Sequence, residues 1–298
     1  MAEATPVISN INGSHFKDLP FFINQSFLEL TKPAYGKILD KSSIETLCGG
    51  CEISRDIDLA KSLSTAGGED WSVLKGYPKS PMVLRLACCL IVWMDRGSAE
   101  LCPTHHLPDM YLMNESEQKQ KRILRLDQGW EVLKKFPDNW YQWPDQTKQK
   151  ELTNLISQIE LRGVLDLIGF RETVGSKLLI PPTREVIMQT FTALHSEGSK
   201  LSVGARAFAK HGHRDHTASW WGTCTGSEEQ KNESALKIVT KILDNAAWMN
   251  IHFMVHDTGV LEARTVEGYG VRWLADGKEF RGFLEPQMEG GHEAGWIH

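Results

Sequence analysis

The sequence lacks several features that would place it in a large class of proteins. Its best apolar run, residues 82–94, is about 13 residues long and contains Arg85, which is too short and too polar for a transmembrane helix. The N-terminus has neither the basic nor the apolar region of a secretory signal peptide. The formal net charge of −5 at pH 7 provides no general basic surface for duplex DNA. We therefore predict a cytoplasmic protein, with the nucleus as a second location, and neither a membrane nor a duplex DNA partner.

Cysteine is also scarce. The six cysteines are irregularly spaced and do not form the pattern of a disulfide framework. Cys48-x-x-Cys51 and Cys102-x-x-His105 have the spacing of zinc ligands, but the gap between the two pairs is loose. Reduced thiols are the prediction, and a structural zinc at these four residues stays an open alternative. Because the P-loop, G-x-G-x-x-G, G-x-S-x-G and H-E-x-x-H motifs are missing, no cofactor is predicted.

Turn signals and apolar patterns divide the chain into three regions. Residues 1–80 are rich in turn signals and predict an irregular segment, whereas residues 81–170 predict a mainly helical region that packs on the core. Residues 171–298 carry both helical and strand-like patterns. The predicted fold class is therefore α+β, with a curved antiparallel sheet backed by helices and a mainly helical N-terminal part.

The apolar periodicity gives the order of elements in more detail. Helices are predicted at residues 82–94, 117–135, 147–167 and 184–197, and a further helix begins at Ser227, where Gln230 completes a capping-box spacing. Strands are predicted at residues 177–180, 201–209, 220–223, 250–256, 260–266, 271–274 and 279–284. The last four strands predict an antiparallel meander.

A first candidate site lies around residues 206–221. Positive charges alternate there with aromatic side chains, a combination typical of sites for phosphate or carboxylate groups and flat rings. The predicted anion-binding residues are Arg206, Lys210 and Arg214, with Trp220 or Trp221 stacking on the ligand. An exposed charged loop with buried tryptophans is the simpler alternative. The motif His211-x-His213-x-x-His216 also raises the alternative of a bound metal, although neighbouring cations disfavour it.

A second candidate site follows from the hairpin signal at residues 257–259. A three-residue turn would place His252 opposite Arg264 and would put His252, Glu262 and Arg264 on one face of the sheet. In an enzyme, His252 or His213 would be the general base, Glu262 its orienting partner or a second acid, and Arg264 an anion clamp. Arg272 is a further predicted ligand-binding residue. Ordinary cross-strand pairs on a solvated face are the alternative.

Residues 177–243 also resemble the mRNA cap-binding translation initiation factor 4E family. The resemblance rests on Val203-x-x-Arg206-Ala followed by Lys210, on Trp220-Trp221, and on the long helix that follows. It implies the curved sheet of that family. It also implies that Arg206, Lys210 and one of the two tryptophans lie at the phosphates of a bound cap.

Three functions are compatible with these patterns. The leading hypothesis is binding of an anionic small molecule that carries phosphate or carboxylate, a nucleotide or RNA on an open sheet face. The first alternative is an acid–base or acyl- or aminoacyl-transfer enzyme of small-molecule metabolism that uses the histidine, glutamate and arginine side chains of the same face. The second alternative is a protein-interaction scaffold, and the sequence leaves open whether the protein is an enzyme.

Overall fold

The computed structural model describes residues 13–33, 39–59, 63, 71–110, 115–211, 220–253 and 258–287. The chain forms two compact units. Unit 1 consists of Met1–Leu107 with Glu115–Glu172, and unit 2 consists of Pro108–Asn114 with Thr173–His298. The predicted three-region division at residues 80 and 170 stays a prediction. Among the described helices, none is long and apolar enough to cross a membrane.

Unit 1 is helical in its described part. Its helices are α1 (Leu19–Glu29), α2 (Lys41–Leu47), α3 (Met82–Arg96), α4 (Ser116–Leu133), α5 (Phe136–Asn139) and α6 (Asp145–Leu167), with 3-10 turns at Gly13–Phe16, Ser72–Leu74 and Pro103–His106. The helices α3, α4 and α6 confirm the predicted ones. Helix α3 ends at Gly97, whose φ of 74° is left-handed and therefore suits glycine.

Unit 2 contains helices and a four-stranded sheet. Its helices are α7 (Arg184–Thr192), α8 (Val203–His211) and α9 (Glu228–Asp244), and its strands are β1 (Trp248–Phe253), β2 (Gly259–Arg264), β3 (Gly270–Leu274) and β4 (Phe280–Leu284). All neighbouring strands are antiparallel, in the order β1-β2-β3-β4. The α+β class and the antiparallel meander are thus confirmed.

Three predicted strands are wrong. Residues 201–209 form most of helix α8, because Ser202 accepts a hydrogen bond from the backbone of Ala205 and begins a helix rich in alanine. Residues 220–223 and 177–180 form no strand. Next to the second range, Ser176 forms an isolated bridge with His252, and the backbone amide of Lys177 donates to Ile251. Helix α7 also ends at Thr192, earlier than predicted.

The predicted register of the first hairpin is wrong as well. His252 lies opposite Val260, and Asn250 lies opposite Glu262, so β2 is shifted by four residues relative to the prediction. The connection between β1 and β2 is longer than the three-residue turn that Asp-Thr-Gly suggested. Because four is an even number and side chains alternate along a strand, the shift keeps the predicted residues on their predicted face.

The two faces of the sheet differ in chemistry. One face packs against α7, α8 and α9, with the Phe191 and Phe280 rings 4.9 Å apart and the Phe208 and Phe283 rings 5.4 Å apart. The indole of Trp273 also donates to the backbone of Ile187 on α7. The opposite face, which we call the polar face, carries Trp248, Asn250, His252, Glu262, Arg264 and Arg272. The predicted face of the second candidate site therefore exists, and it lies away from the helices of unit 2.

Helix α9 begins with the predicted capping box, in which Ser227 and Gln230 bond to each other's backbone amides. We expect Ser227→Ala to lower the free energy of unfolding by about 1 kcal/mol, because the backbone amide of Gln230 loses its acceptor at the start of the helix. Thermal and denaturant unfolding of the full chain measure the change. Ser234→Ala, on the exposed side of the same helix, is the control and should change stability much less; equal effects would contradict the role of the cap.

Candidate functional site

The polar face is organised around one buried carboxylate. Glu262 lies on the inner strand β2 and is only 2% exposed. Three basic side chains surround it: Arg272 Nε lies 2.7 Å from Oε1, Arg264 Nε lies 3.2 Å from Oε2, and His252 Nε2 lies 3.3 Å from Oε1. Glu262 on β2 lies directly opposite Arg272 on β3, and this cross-strand pairing brings Arg272 closest to the carboxylate. We call these four residues the Glu262 cluster.

The surroundings of Glu262 keep it ionised. Burial by itself raises the pKa of its carboxyl, but the hydrogen bond from His252 and the charges of Arg264 and Arg272 outweigh burial and lower the pKa from 4.5 to about 2. Glu262 is therefore a fixed negative charge at neutral pH. A carboxylate with so low a pKa is a poor proton acceptor, and its chemical use is to hold its neighbours in place.

Arg264 has little freedom to bind a ligand. Its side chain is 5% exposed, and besides Glu262 it donates to the backbone oxygens of Gly268 and Glu285, at 2.8 and 3.0 Å. We predicted an anion clamp at this position, whereas the structure uses Arg264 to tie the end of β2 to the β2–β3 turn and to the end of β4. Arg264 is thus a positioning residue of the Glu262 cluster.

His252 and Arg272 are the members of the cluster that solvent reaches. Their side chains are 22% and 24% exposed, whereas that of Glu262 is 2% exposed. Because Nε2 of His252 faces Glu262, a neutral imidazole would carry its proton on Nε2 and leave the lone pair of Nδ1 for another partner. The cluster therefore presents Nδ1 of an imidazole beside a guanidinium.

A second carboxylate, Glu285, lies just beyond β4. Its side chain accepts from the indole of Trp221 at 2.9 and 3.0 Å, and His211 Nδ1 lies 3.2 Å from Oε1. His211 ends α8 and also packs against Phe283 on the helix side of the sheet. Since the backbone of Glu285 accepts from Arg264, the two carboxylates are joined through one arginine.

The tryptophans that we predicted to stack on a ligand have other partners. Trp221 is 1% exposed and lies in the core of unit 2. The ring of Trp220 is stacked on Tyr269, with centroids 4.1 Å apart and planes 10° apart, and Lys241 Nζ lies 3.9 Å from its centroid. Because the Tyr269 ring covers one face of the Trp220 indole, the Lys241 ammonium lies over the other face. Neither face is left for a base.

The two sequence-predicted sites lie on different layers of unit 2. Arg206 and Lys210 are exposed on α8, which packs on the apolar face of the sheet, whereas the Glu262 cluster lies on the polar face. The structure therefore does not bring Arg206 and Lys210 together with His252. His213 and Arg214 lie outside the described residues.

The four candidate zinc ligands have mixed surroundings. Burial raises the pKa of the Cys48 and Cys102 thiols to about 12, with Cys51 adding to the rise at Cys48. Burial, followed by the charge of a neighbouring arginine, lowers the pKa of His105 to about 4. Within the described ranges, no group of three or more histidine, cysteine, aspartate or glutamate side chains is arranged to hold a metal.

Three residues at these sites were missed by sequence reasoning. Glu285, Tyr269 and Lys241 come from a strand end, a turn and a helix, and each meets its partner only after the chain has folded. The position of Lys241 on the polar side of an amphipathic helix indicates that its ammonium is at the surface. The local sequence of Glu285 and Tyr269 indicates none of these contacts.

Comparison with known families gives a match to part of the chain. The sequence profile of the CdiA C-terminal tRNase toxin domain matches residues 192–285. The match begins at the last residue of α7 and spans α8, α9 and all four strands, including the Glu262 cluster and Glu285. Searches of curated proteins and of solved structures give no match.

This match corrects the resemblance to initiation factor 4E, which was wrong. That resemblance required a strand containing Arg206 and Lys210, but these residues lie on helix α8. The resemblance rested on an order of short apolar and basic segments in this chain, and such an order does not distinguish a strand from a helix of nine residues.

The low pKa of Glu262 makes stability depend on acid pH. Its folded-state pKa is depressed, so its contribution is present above the unfolded value of 4.5 and is lost as pH falls from 4.5 towards 2. We expect Glu262→Gln to destabilise the protein by about 3 kcal/mol at pH 7, because two arginines lose a buried counter-ion. Denaturant unfolding measured from pH 7 to pH 2.5 should show this difference shrinking as the pH falls.

Glu279→Gln is the matched control, since Glu279 forms an exposed ion pair with Arg281. Exposed pairs contribute little, so this variant should follow the wild type at every pH. A difference between wild type and Glu262→Gln that does not change with pH would contradict the assignment of an ionised Glu262.

Proposed function

We propose that unit 2 is an RNA-cleaving domain and that tRNA is its substrate. The observation that carries the proposal is that the match to a tRNase toxin domain, over residues 192–285, contains the entire Glu262 cluster. The leading hypothesis from the sequence included RNA as a ligand, and the first alternative was an acid–base enzyme. The proposed function combines the RNA ligand of the former with the chemistry of the latter.

RNA supplies its own nucleophile for strand cleavage. The 2′-hydroxyl oxygen forms a bond to the adjacent phosphorus while the bond from phosphorus to the 5′ oxygen breaks. The proton of the 2′-hydroxyl passes to a base, and the departing 5′ oxygen takes up a proton from water. The products are a 2′,3′-cyclic phosphate end and a free 5′-hydroxyl end. A protein accelerates this reaction by accepting the first proton and by stabilising the extra negative charge on the phosphate oxygens.

The Glu262 cluster has groups for both tasks. His252 would accept the 2′-hydroxyl proton at Nδ1, because its Nε2 faces Glu262. Arg272, held by Glu262 through Nε and Nη2, would direct the donors of its Nη1 at the phosphate. Glu262 would also stabilise the imidazolium that forms at His252, and Arg264 would hold Glu262.

The test is cleavage of a tRNA transcript by purified full-length protein. We expect His252→Asn to reduce the rate by at least about a hundredfold, because the proton acceptor is lost. Arg272→Ala should give a loss of similar size. His195→Asn and Arg281→Ala change residues of the same types away from the cluster, and should leave the rate unchanged.

The products distinguish this chemistry from other routes of strand cleavage. A 2′,3′-cyclic phosphate end should be detected by mass spectrometry, and a 2′-O-methyl group on the nucleotide 5′ of the cut should block cleavage. Full activity of His252→Asn with a wild-type melting temperature, or cleavage at the methylated position, would refute the assigned roles.

A further inference from the structure

We propose that Arg206, Lys210 and Lys241 form a second RNA-contacting surface, which binds phosphates of the substrate away from the cleaved bond. We call these three residues the basic patch. The inference rests on the proposed function, because it assigns to the same enzyme a substrate long enough to reach both surfaces. The substrate would then be an RNA of many nucleotides, folded or extended, because a dinucleotide is too short to reach both surfaces.

The first observation is that Arg206 and Lys210 on α8 have no counter-ion among the described residues. Arg206 and Lys210 are four residues apart, so they lie on the same side of the helix, and both are exposed. In the described part of the chain neither forms an ion pair, whereas Lys237 on α9 pairs with Glu233 at 3.3 Å and Lys200 pairs with Glu229 at 3.4 Å. Their charges are therefore available to an external anion.

The second observation concerns Lys241, which is held by an aromatic ring instead of a carboxylate. Its ammonium lies 3.9 Å from the centroid of Trp220, whose other face is stacked on Tyr269. A cation–π contact orients an ammonium without neutralising it. Trp220 thus supports a positive charge at the surface, which gives it a role in the patch even though its ring faces are occupied.

Lys210 and Lys241 lie in the last turns of α8 and α9, and Arg206 lies one turn before Lys210. The two helices start side by side, because Asn232 near the start of α9 accepts a hydrogen bond from the backbone of Ser202 just before α8. At the C-terminal ends of the two helices, the rings of His211, Trp221 and Trp220 form a continuous row, with centroids 5.5 and 4.9 Å apart. This row connects the last turn of α8, which carries Lys210, with Lys241.

The patch adjoins the Glu262 cluster at the end of the sheet. Arg264 bonds to the backbones of Gly268, which precedes Tyr269, and of Glu285, which binds Trp221. The patch itself belongs to the helical layer and the cluster to the polar face, so no single phosphate can contact both. RNA that passes around the β2–β3 turn would contact the two surfaces with different phosphates, which is why chain length should matter.

The experiment compares long and short substrates with the full-length protein. The patch variant is Lys210→Gln/Lys241→Gln, and the control is Lys200→Gln/Lys278→Gln, which removes two lysines that already have carboxylate partners. Fluorescence anisotropy measures the binding of a fully 2′-O-methylated tRNA analogue at several salt concentrations. Steady-state kinetics measures the cleavage of tRNA and of a tetranucleotide.

We expect the patch variant to bind the methylated RNA about tenfold more weakly and to lower the slope of log Kd against log salt by about 1.5, as expected for two lost phosphate contacts. Its KM for tRNA should rise, while kcat/KM for the tetranucleotide stays within about twofold of the wild type, since neither lysine touches the cleaved bond. The control variant should match the wild type in all three measurements.

An unchanged affinity and salt slope would overturn the inference, and so would an equal loss on tRNA and tetranucleotide. Binding to the methylated RNA does not require cleavage. If the wild type binds this RNA through the patch but cleaves nothing, the inference stands and the proposed function fails. If it cleaves RNA without any dependence on the patch, the proposed function stands and the inference fails.

Discussion

The carboxylate of Glu262 is the constraint on which the arrangement of unit 2 depends. A charge that is 2% exposed is costly unless hydrogen-bonded cations surround it, and the sheet supplies them from three strands. Only one register of β3 places Arg272 directly opposite Glu262, and only one register of β1 brings His252 within 3.3 Å. The same contacts that compensate the buried charge also orient an imidazole and a guanidinium towards solvent. Stability of the sheet and preparation of the site are therefore achieved by the same few hydrogen bonds.

The sequence predicted the polar face correctly for a simple physical reason. Side chains alternate along a strand, so assigning Glu262 and Arg264 to one face needs only their spacing, and the face of His252 follows from any register that is shifted by an even number. The register itself was not predictable in this way, because it depends on the length of the connection between β1 and β2. Burial was not predictable either, since a row of polar residues on a strand is as typical of a solvated face as of a buried ionic cluster.

The errors around α8 have a different origin. The segment from residue 201 to 209 contains valine, alanine and phenylalanine at spacings that suit both a strand and a short helix. The hydrogen bond from the backbone amide of Ala205 to the side-chain hydroxyl of Ser202 favours the helix, and this cap could have been recognised from serine preceding an alanine-rich run. The contacts of Lys241 and Glu285 lay beyond sequence reasoning, because their partners come from elements that are distant in the chain. For the same reason a family resemblance based on the order of segments was misleading, whereas a match over all four strands was informative.

The shared use of Arg264 has an evolutionary consequence. This one side chain hydrogen-bonds to Glu262, to the β2–β3 turn and to the segment after β4. Its replacement would therefore disturb the buried charge and both of these segments together. Substitutions at positions 262, 264 and 272 should therefore be tolerated in descendants of this chain mainly as coordinated sets that keep the local charge balanced. The exposed ion pair of Glu279 with Arg281 carries no such restriction, because water solvates both charges. Divergence should then be unevenly distributed, with covariation within the ionic cluster and independent change at the exposed pair.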